Sequence, residues 1–140
     1  GQTTSIIYDN LIDLQYSVDK AYRNAAGWML NDLSIAAIRK LKDTQGHPLW
    51  QPALTAGAPD LLLGYPVQTN NYVPVMAANA VSVLFGDFRR YYIRIVDQVI
   101  AQRLTERYAD FGQVGFLILM RADGNLMDTS AVKAYKNSAT

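Results

Sequence analysis

The stretch from Gly27 to Phe88 constrains the fold most. In it, apolar runs of strand length alternate with short polar loops, and one short helical segment sits between the first two runs. Trp28-Met29-Leu30 reads as a short buried strand, with Tyr65 to Thr69 extended and Val81 to Phe85 a second buried strand closed by Gly86-Asp87. Runs of this length, bounded by Gly, Pro, Asn and Asp, favour strands. Asn31 is suited to cap a helix whose expected buried stripe is Leu33, Ala37, Ile38 and Leu41. Arg39, Lys40 and Lys42 crowd its C-terminal end, where the helix dipole favours positive charge.

Upstream, Ile7, Leu11, Leu14, Val18 and Tyr22 follow steps of three and four. This predicts one helix from Ile6 to Arg23, capped by Thr4 or Ser5. Gly27 is suited to a left-handed cap behind it. Asp43-Thr44-Gln45-Gly46 has turn chemistry. Leu49-Trp50 is expected to resume as an edge strand, because Pro48 removes a ladder donor. Gln51 to Asp60 reads as a loop.

Downstream, Arg90 to Arg103 holds two extended candidates. Tyr91, Ile93, Ile95 and Asp97 would point one way and Tyr92, Arg94 and Val96 the other, a half-buried pattern. Leu104 to Phe111 is a polar connection with helical potential. Val114 to Met120 is an apolar run of strand length, Asp123-Gly124 favours a hairpin turn, and Ala131 to Lys136 alternates like a last strand. The predicted class is α+β, with two helices early and strands late. The 140 residues suit one domain.

Charge and composition exclude several function classes. Thirteen basic against twelve acidic residues leave a formal charge of +1, too weak to indicate a nucleic-acid partner. Cysteine is absent, which removes disulfides, thiolate nucleophiles and cysteine-based zinc sites. An intracellular origin fits that absence. No apolar run nears the roughly 20 residues that span a bilayer. Gly1 starts the chain without an initiator Met or a signal-peptide pattern, as expected of a processed chain, a piece of a longer parent or a tag remnant.

Catalytic chemistry is thin. His47 is the only histidine, and no serine lies in a nucleophile-elbow pattern. Thr55-Ala56-Gly57-Ala58-Pro59 lacks the spacing and ending of a phosphate loop. A carboxylate pair needs no motif, so Asp87, Asp97 and Glu106 are the candidates for an acid–base site. The competing readings are a turn acceptor for Asp87 and an arginine partner for Asp97. Arg89-Arg90-Tyr91-Tyr92 pairs basic and aromatic residues, yet two arginines on a near-neutral chain fit sheet packing, exposed charge or an inter-subunit ion pair better than nucleic acid. No cofactor or metal site is expected.

The order of these pieces resembles a known family. Trp28-Met29-Leu30-Asn31 entering a short helix is followed by Leu41-Lys42-Asp43-Thr44-Gln45-Gly46-His47-Pro48-Leu49-Trp50. Then come Leu62-Leu63-Gly64-Tyr65-Pro66-Val67, Leu84-Phe85-Gly86-Asp87-Phe88 with Tyr92, and Arg121-Ala122-Asp123-Gly124 with Ala131. This succession, from about Ile6 to Tyr135, resembles the C-terminal half of tailed-bacteriophage and prophage major capsid proteins, which share the Hong Kong ninety-seven-type shell fold.

The resemblance implies a mixed sheet flanked by helices. Residues of about 5–95 would be the core of the axial domain, and about 96–136 would be late strands returning towards the peripheral domain. It implies a structural subunit, not an enzyme, that forms pentamers and hexamers of an icosahedral head. Lys42, Asp43, Thr44, Gln45 and Gly46 would lie at the axis tip as a subunit interface. Partners would be other copies of the chain, with a scaffold or maturation protease, no membrane, and packaged DNA only indirectly. The place would be the virion, assembled in the host cytoplasm. The N-terminal arm, extended loop and spine helix of the family pattern do not appear in this sequence. The alternatives are an encapsulin-like nanocompartment shell, or a small α/β enzyme or ligand-binding domain using Asp87, Asp97 or Glu106.

Overall fold

The structure is a computed structural model. It describes residues 3–42, 45–50 and 60–139, with the backbone alone at 97 and 98. Its contacts divide it into two compact units, Gly1–Arg90 with Asp128–Thr140, and Tyr91–Met127. The sequence had suggested one domain with a change of character near residue 95. The chain leaves the first unit at Arg90 and returns to it at Asp128.

The first unit is built on a five-stranded sheet in the order β2-β3-β1-β4-β7. Its strands are β1 (Gly27–Leu30), β2 (Leu61–Leu62), β3 (Tyr65–Thr69), β4 (Val81–Gly86) and β7 (Val132–Lys136). β1 runs parallel to β3 and antiparallel to β4. A parallel pair needs a crossover, and helix α3 (Asp32–Arg39) lies in that connection. Leu63 and Gly64 join β2 to β3, both at positive φ. A two-residue turn with that backbone matches the twist of its strands.

The core lies on this sheet. Trp28 and Phe85 are cross-strand partners, both fully buried. Their ring centroids are 4.4 Å apart, and Tyr65 meets Phe85 edge-on at 5.1 Å. The Trp28 indole N–H donates to the Leu62 carbonyl at 2.9 Å, so the polar end of a buried ring is satisfied. Leu30, Val83 and Leu62 complete the sheet side, with Ile38 from α3 and Leu11, Leu14 and Val18 from the N-terminal segment.

That segment is not one helix. α1 (Tyr8–Ser17) and α2 (Lys20–Arg23) are separated at Val18, whose backbone is extended. The Ser17 hydroxyl donates to the Leu14 carbonyl at 2.6 Å, and Asp19 caps α2 by accepting from the Ala21 N–H. Local polar competition of this kind ends helices. Leu11, Leu14 and Val18 are buried as expected, but Ile7 is exposed and stands at the N-cap without a side-chain bond. The expected caps Thr4 and Ser5 do not serve.

Three further expectations are corrected. Gly27 does not adopt a left-handed cap; it opens β1. The stripe of α3 is Ser34, Ile35 and Ile38, while Leu33 is exposed; Asn31 does cap the helix, accepting from the Leu33 N–H at 3.0 Å. Leu49-Trp50 forms no strand: the local pairing is one bridge between Lys42 and Pro48. Trp50 is instead buried by packing, with the Arg39 guanidinium 5.0 Å above its ring.

Gly86 is required by space. Its φ is +152°, and a Cβ there would fall 2.1 Å from the Ala131 carbonyl oxygen. The turn before β7 therefore lies directly on the end of β4.

The second unit is an antiparallel ribbon of β5 (Tyr91–Leu104) and β6 (Gly115–Leu126). Asp123 and Gly124 are not its turn. They pair with Arg94 and Ile93 inside the ladder, and a Cβ on Gly124 would meet the Tyr91 hydroxyl at 2.5 Å. Here the glycine permits a close ring approach, which is a common use of glycine within a strand. The reversal lies between Leu104 and Gly115, with a 3-10 turn at Ala109–Phe111 and Gly112 at φ +63°. The half-buried pattern expected of β5 is also absent, since Ile93 and Ile95 are exposed. In the ribbon two strands lie side by side with no second layer of their own. No helix among the described residues is long and apolar enough to cross a membrane.

Candidate assembly surfaces

The carboxylates that could have formed a catalytic pair do not build one. Asp87 is buried, and its N–H donates to the Ala131 carbonyl at 2.9 Å. One of its carboxylate oxygens accepts the Arg89 N–H at 3.0 Å, and the other lies 3.9 Å from the Arg90 guanidinium. It is a turn acceptor that fastens the end of β4. Glu106 is exposed in the ribbon's connecting loop, and the Asp97 side chain lies outside the described residues. No group of acidic or histidine residues capable of holding a metal occurs among the described residues.

Three of the five residues expected at an axis tip are among the described residues. Lys42, Gln45 and Gly46 are exposed, and Asp43 and Thr44 lie outside the described residues. The Lys42–Pro48 bridge and the Leu49 N–H bond to the Leu41 carbonyl at 3.0 Å close this segment into a small loop. Gly46 sits at φ +86°, where glycine is the unstrained choice.

Arg89 and Arg90 stand in a 3-10 turn at the end of β4, with the Arg90 guanidinium 5.8 Å from the Tyr22 ring. Tyr22 in turn donates its hydroxyl to Asp128 at 2.5 Å. That bond holds the Asp128 carboxyl below its ordinary range, helped by the Ser130 N–H. The same bond pushes the Tyr22 phenol up. The clasp ties α2 to the segment returning into β7. It joins residues far apart in the chain, and no local sequence signal reports it.

Many of the exposed apolar side chains among the described residues are in the ribbon. Side chains alternate across the ladder, so the register puts Tyr91, Ile93 and Ile95 on the same face as Leu126, Met120, Ile118 and Phe116, with Ala101 and Arg103 opposite Ile118 and Phe116. Ile93, Phe116 and Ile118 are 70%, 73% and 67% exposed. The opposite face carries Arg94, Asp123, Arg121 and Gln102 among its apolar residues. A largely apolar exposed face of this kind, with Arg103 at its far end, is the sort that marks an interaction surface.

Comparison with known proteins places this arrangement. The model of the phage capsid family matches residues 1–137. The chain belongs to the phage capsid family. Among solved structures it is similar to the capsid of an empty GTA particle computed with C5 symmetry, at 33% identity and a TM-score of 0.80; the match covers 99% of this chain and 48% of that one. The capsid of a native GTA particle, also computed with C5 symmetry, gives the same values. The Gordonia phage Cozz structure shares the fold at 17% identity and a TM-score of 0.66, over 99% of this chain and 48% of that one. The chain thus spans about half the length of these solved chains. No curated protein matches it. The mixed α+β class and the Hong Kong ninety-seven-type resemblance expected from the motifs both hold.

Proposed function

We propose that this phage capsid family member is a structural subunit that assembles with copies of itself into the pentamers and hexamers of an icosahedral shell. The observation that carries the reading is the apolar face of the β5–β6 ribbon. Seven large apolar side chains and Arg103 occupy it, and a two-stranded ribbon is marginal in water without something packed on it. Burial within an assembly removes that surface from water.

In this reading the sheet unit is the axial wedge, the ribbon leads towards the peripheral domain, and Lys42 to Gly46 is the axis tip. The role is structural, with a scaffold or maturation protease as further partners and the virion as its place. The first test is electron microscopy of the expressed protein, with sedimentation alongside. Closed shells, or rings of five and six, are the expected result. A dispersed monomer at all concentrations and salts, with and without a scaffold, would overturn the reading. Lys42→Glu tests the tip: it is expected to shift the assembly threshold while leaving the melting temperature in place.

A further inference from the structure

Besides its apolar face, the ribbon has an open edge. Its sheet holds only two strands, so the outer side of β6 pairs with no strand among the described residues. Every residue of β6 between its two ends is exposed. Such an edge is a row of backbone donors and acceptors that can template another strand. The two edges of the ribbon are not alike. On β5 the register shifts between Val96 and Ile100, with the extra residues on that strand, and an irregularity of this kind blunts an edge. β6 carries no extra residue and offers the cleaner edge of the two.

The side chains of β6 select what fits that edge. A second copy turned about a two-fold axis normal to the ribbon lays its own β6 antiparallel alongside. With Ala122 on the axis, Arg121 stands opposite Asp123 of the second copy, and Asp123 opposite Arg121 of the second copy. Neither residue makes an ion pair among the described residues. Opposite charges directly across two strands attract, and like charges repel. Moving the axis by one residue sets Arg121 against Arg121 or Asp123 against Asp123, so the charges single out one register. In that register Met120 stands opposite Gly124 and Ile118 opposite Leu126, all on the apolar face. The two apolar faces then lie on one side of a four-stranded sheet. Three or more strands with a hydrophobic face are what a sheet of this kind needs for stability.

Resting only on the self-association in the shell reading above, we infer that the β6 edges of two copies pair antiparallel about Ala122. The contact is isologous, the same strand serving both sides, and it joins two copies where head-to-tail contacts close rings. The chain holds no cysteine, so single cysteines report the pairing. Under mild oxidation Ala122→Cys is expected to give a disulfide-linked dimer, because each copy's residue 122 meets its counterpart. Leu119→Cys alone is expected to give none, and mixed with Asn125→Cys it is expected to give one. Arg121→Asp added to Ala122→Cys is expected to weaken dimerisation about tenfold, and Asp123→Arg in the same chain to restore it. Equal linking of Leu119→Cys and Ala122→Cys would overturn the inference by indicating random collision. So would an Arg121→Asp variant that links as well as its parent. Assembled particles in which Ala122→Cys stays unlinked would also overturn it, assigning the edge to some other strand, and the shell reading would stand. Linked dimers from a protein that never forms rings or shells would uphold the β6 contact and remove the shell reading.

Discussion

The sheet unit and the ribbon obey opposite rules with similar residues. Both are rich in Ile, Val, Leu, Tyr and Phe. In the sheet unit Trp28, Leu30, Val83 and Phe85 are fully buried, and Ser82 beside them donates to Asn137 at 2.6 Å, while the buried Ser34 hydroxyl and Trp50 indole N–H lack a partner among the described residues. In the ribbon Ile93, Ile95, Phe116 and Ile118 face outwards. Hydrophobic composition therefore does not locate a core; what decides is whether a second layer lies within reach. One unit carries its own layer, and the other offers a face for one.

The sharpest way to break this contrast is in the sheet unit. Trp28→Ala or Phe85→Ala is expected to cost about 3–5 kcal/mol, as for large-to-small changes at buried aromatic positions; denaturant titration measures it. Gly86→Ala forces a Cβ into the Ala131 carbonyl, and a loss of roughly 1–3 kcal/mol is expected from the strain. If either change left the midpoint unmoved, the tight core would not be what holds this unit.

Ile93→Asp and Phe116→Ser sharpen the other side. Substitutions on an exposed face fall within about 0.5 kcal/mol, so stability of the isolated chain should barely move while assembly is lost. A large drop in its stability would mean the face is already covered in the free chain. Hydrogen exchange should agree, with amides of β4 the slowest and those of β5 and β6 much faster.

The smallest effect concerns pH. Asp128 is held below the ordinary carboxylate range, chiefly by the Tyr22 hydroxyl. A lowered folded pKa stabilises above the unfolded value, and that contribution is lost as pH falls through the folded value. The Tyr22 phenol is raised, so its contribution is present below the unfolded value near 10 and is lost as pH rises through the folded one. Tyr22→Phe should return the Asp128 titration towards ordinary carboxylate behaviour by NMR. An unmoved titration would put the cause elsewhere.

Much of the sheet unit was legible in the sequence because its signals are local. The cap at Asn31, the strands at Trp28 and Val81, and the Asp87 turn follow from neighbouring residues. The α1–α2 break was not, because the periodic apolar residues continue through an extended Val18. Asp123-Gly124 misled because the same dipeptide serves a hairpin turn and a close approach within a ladder. The exposed ribbon face could not be read from a pattern that reports alternation and says nothing of what lies opposite. The family resemblance was legible from ordered short motifs, whereas the Tyr22–Asp128 clasp depends on a contact across the chain.

The position of β7 bears on how the molecule is made. Its residues Val132–Lys136 pair with Val81–Gly86, and just beyond them Asn137 reaches back to the Ser5 carbonyl at 3.2 Å. During synthesis the flank of β4 stays open while the whole ribbon emerges, and the strand that seals it is made only after the ribbon. Pairings so distant in sequence form slowly, so the sheet of β1, β3 and β4 exists for a time with one flank still waiting for its strand.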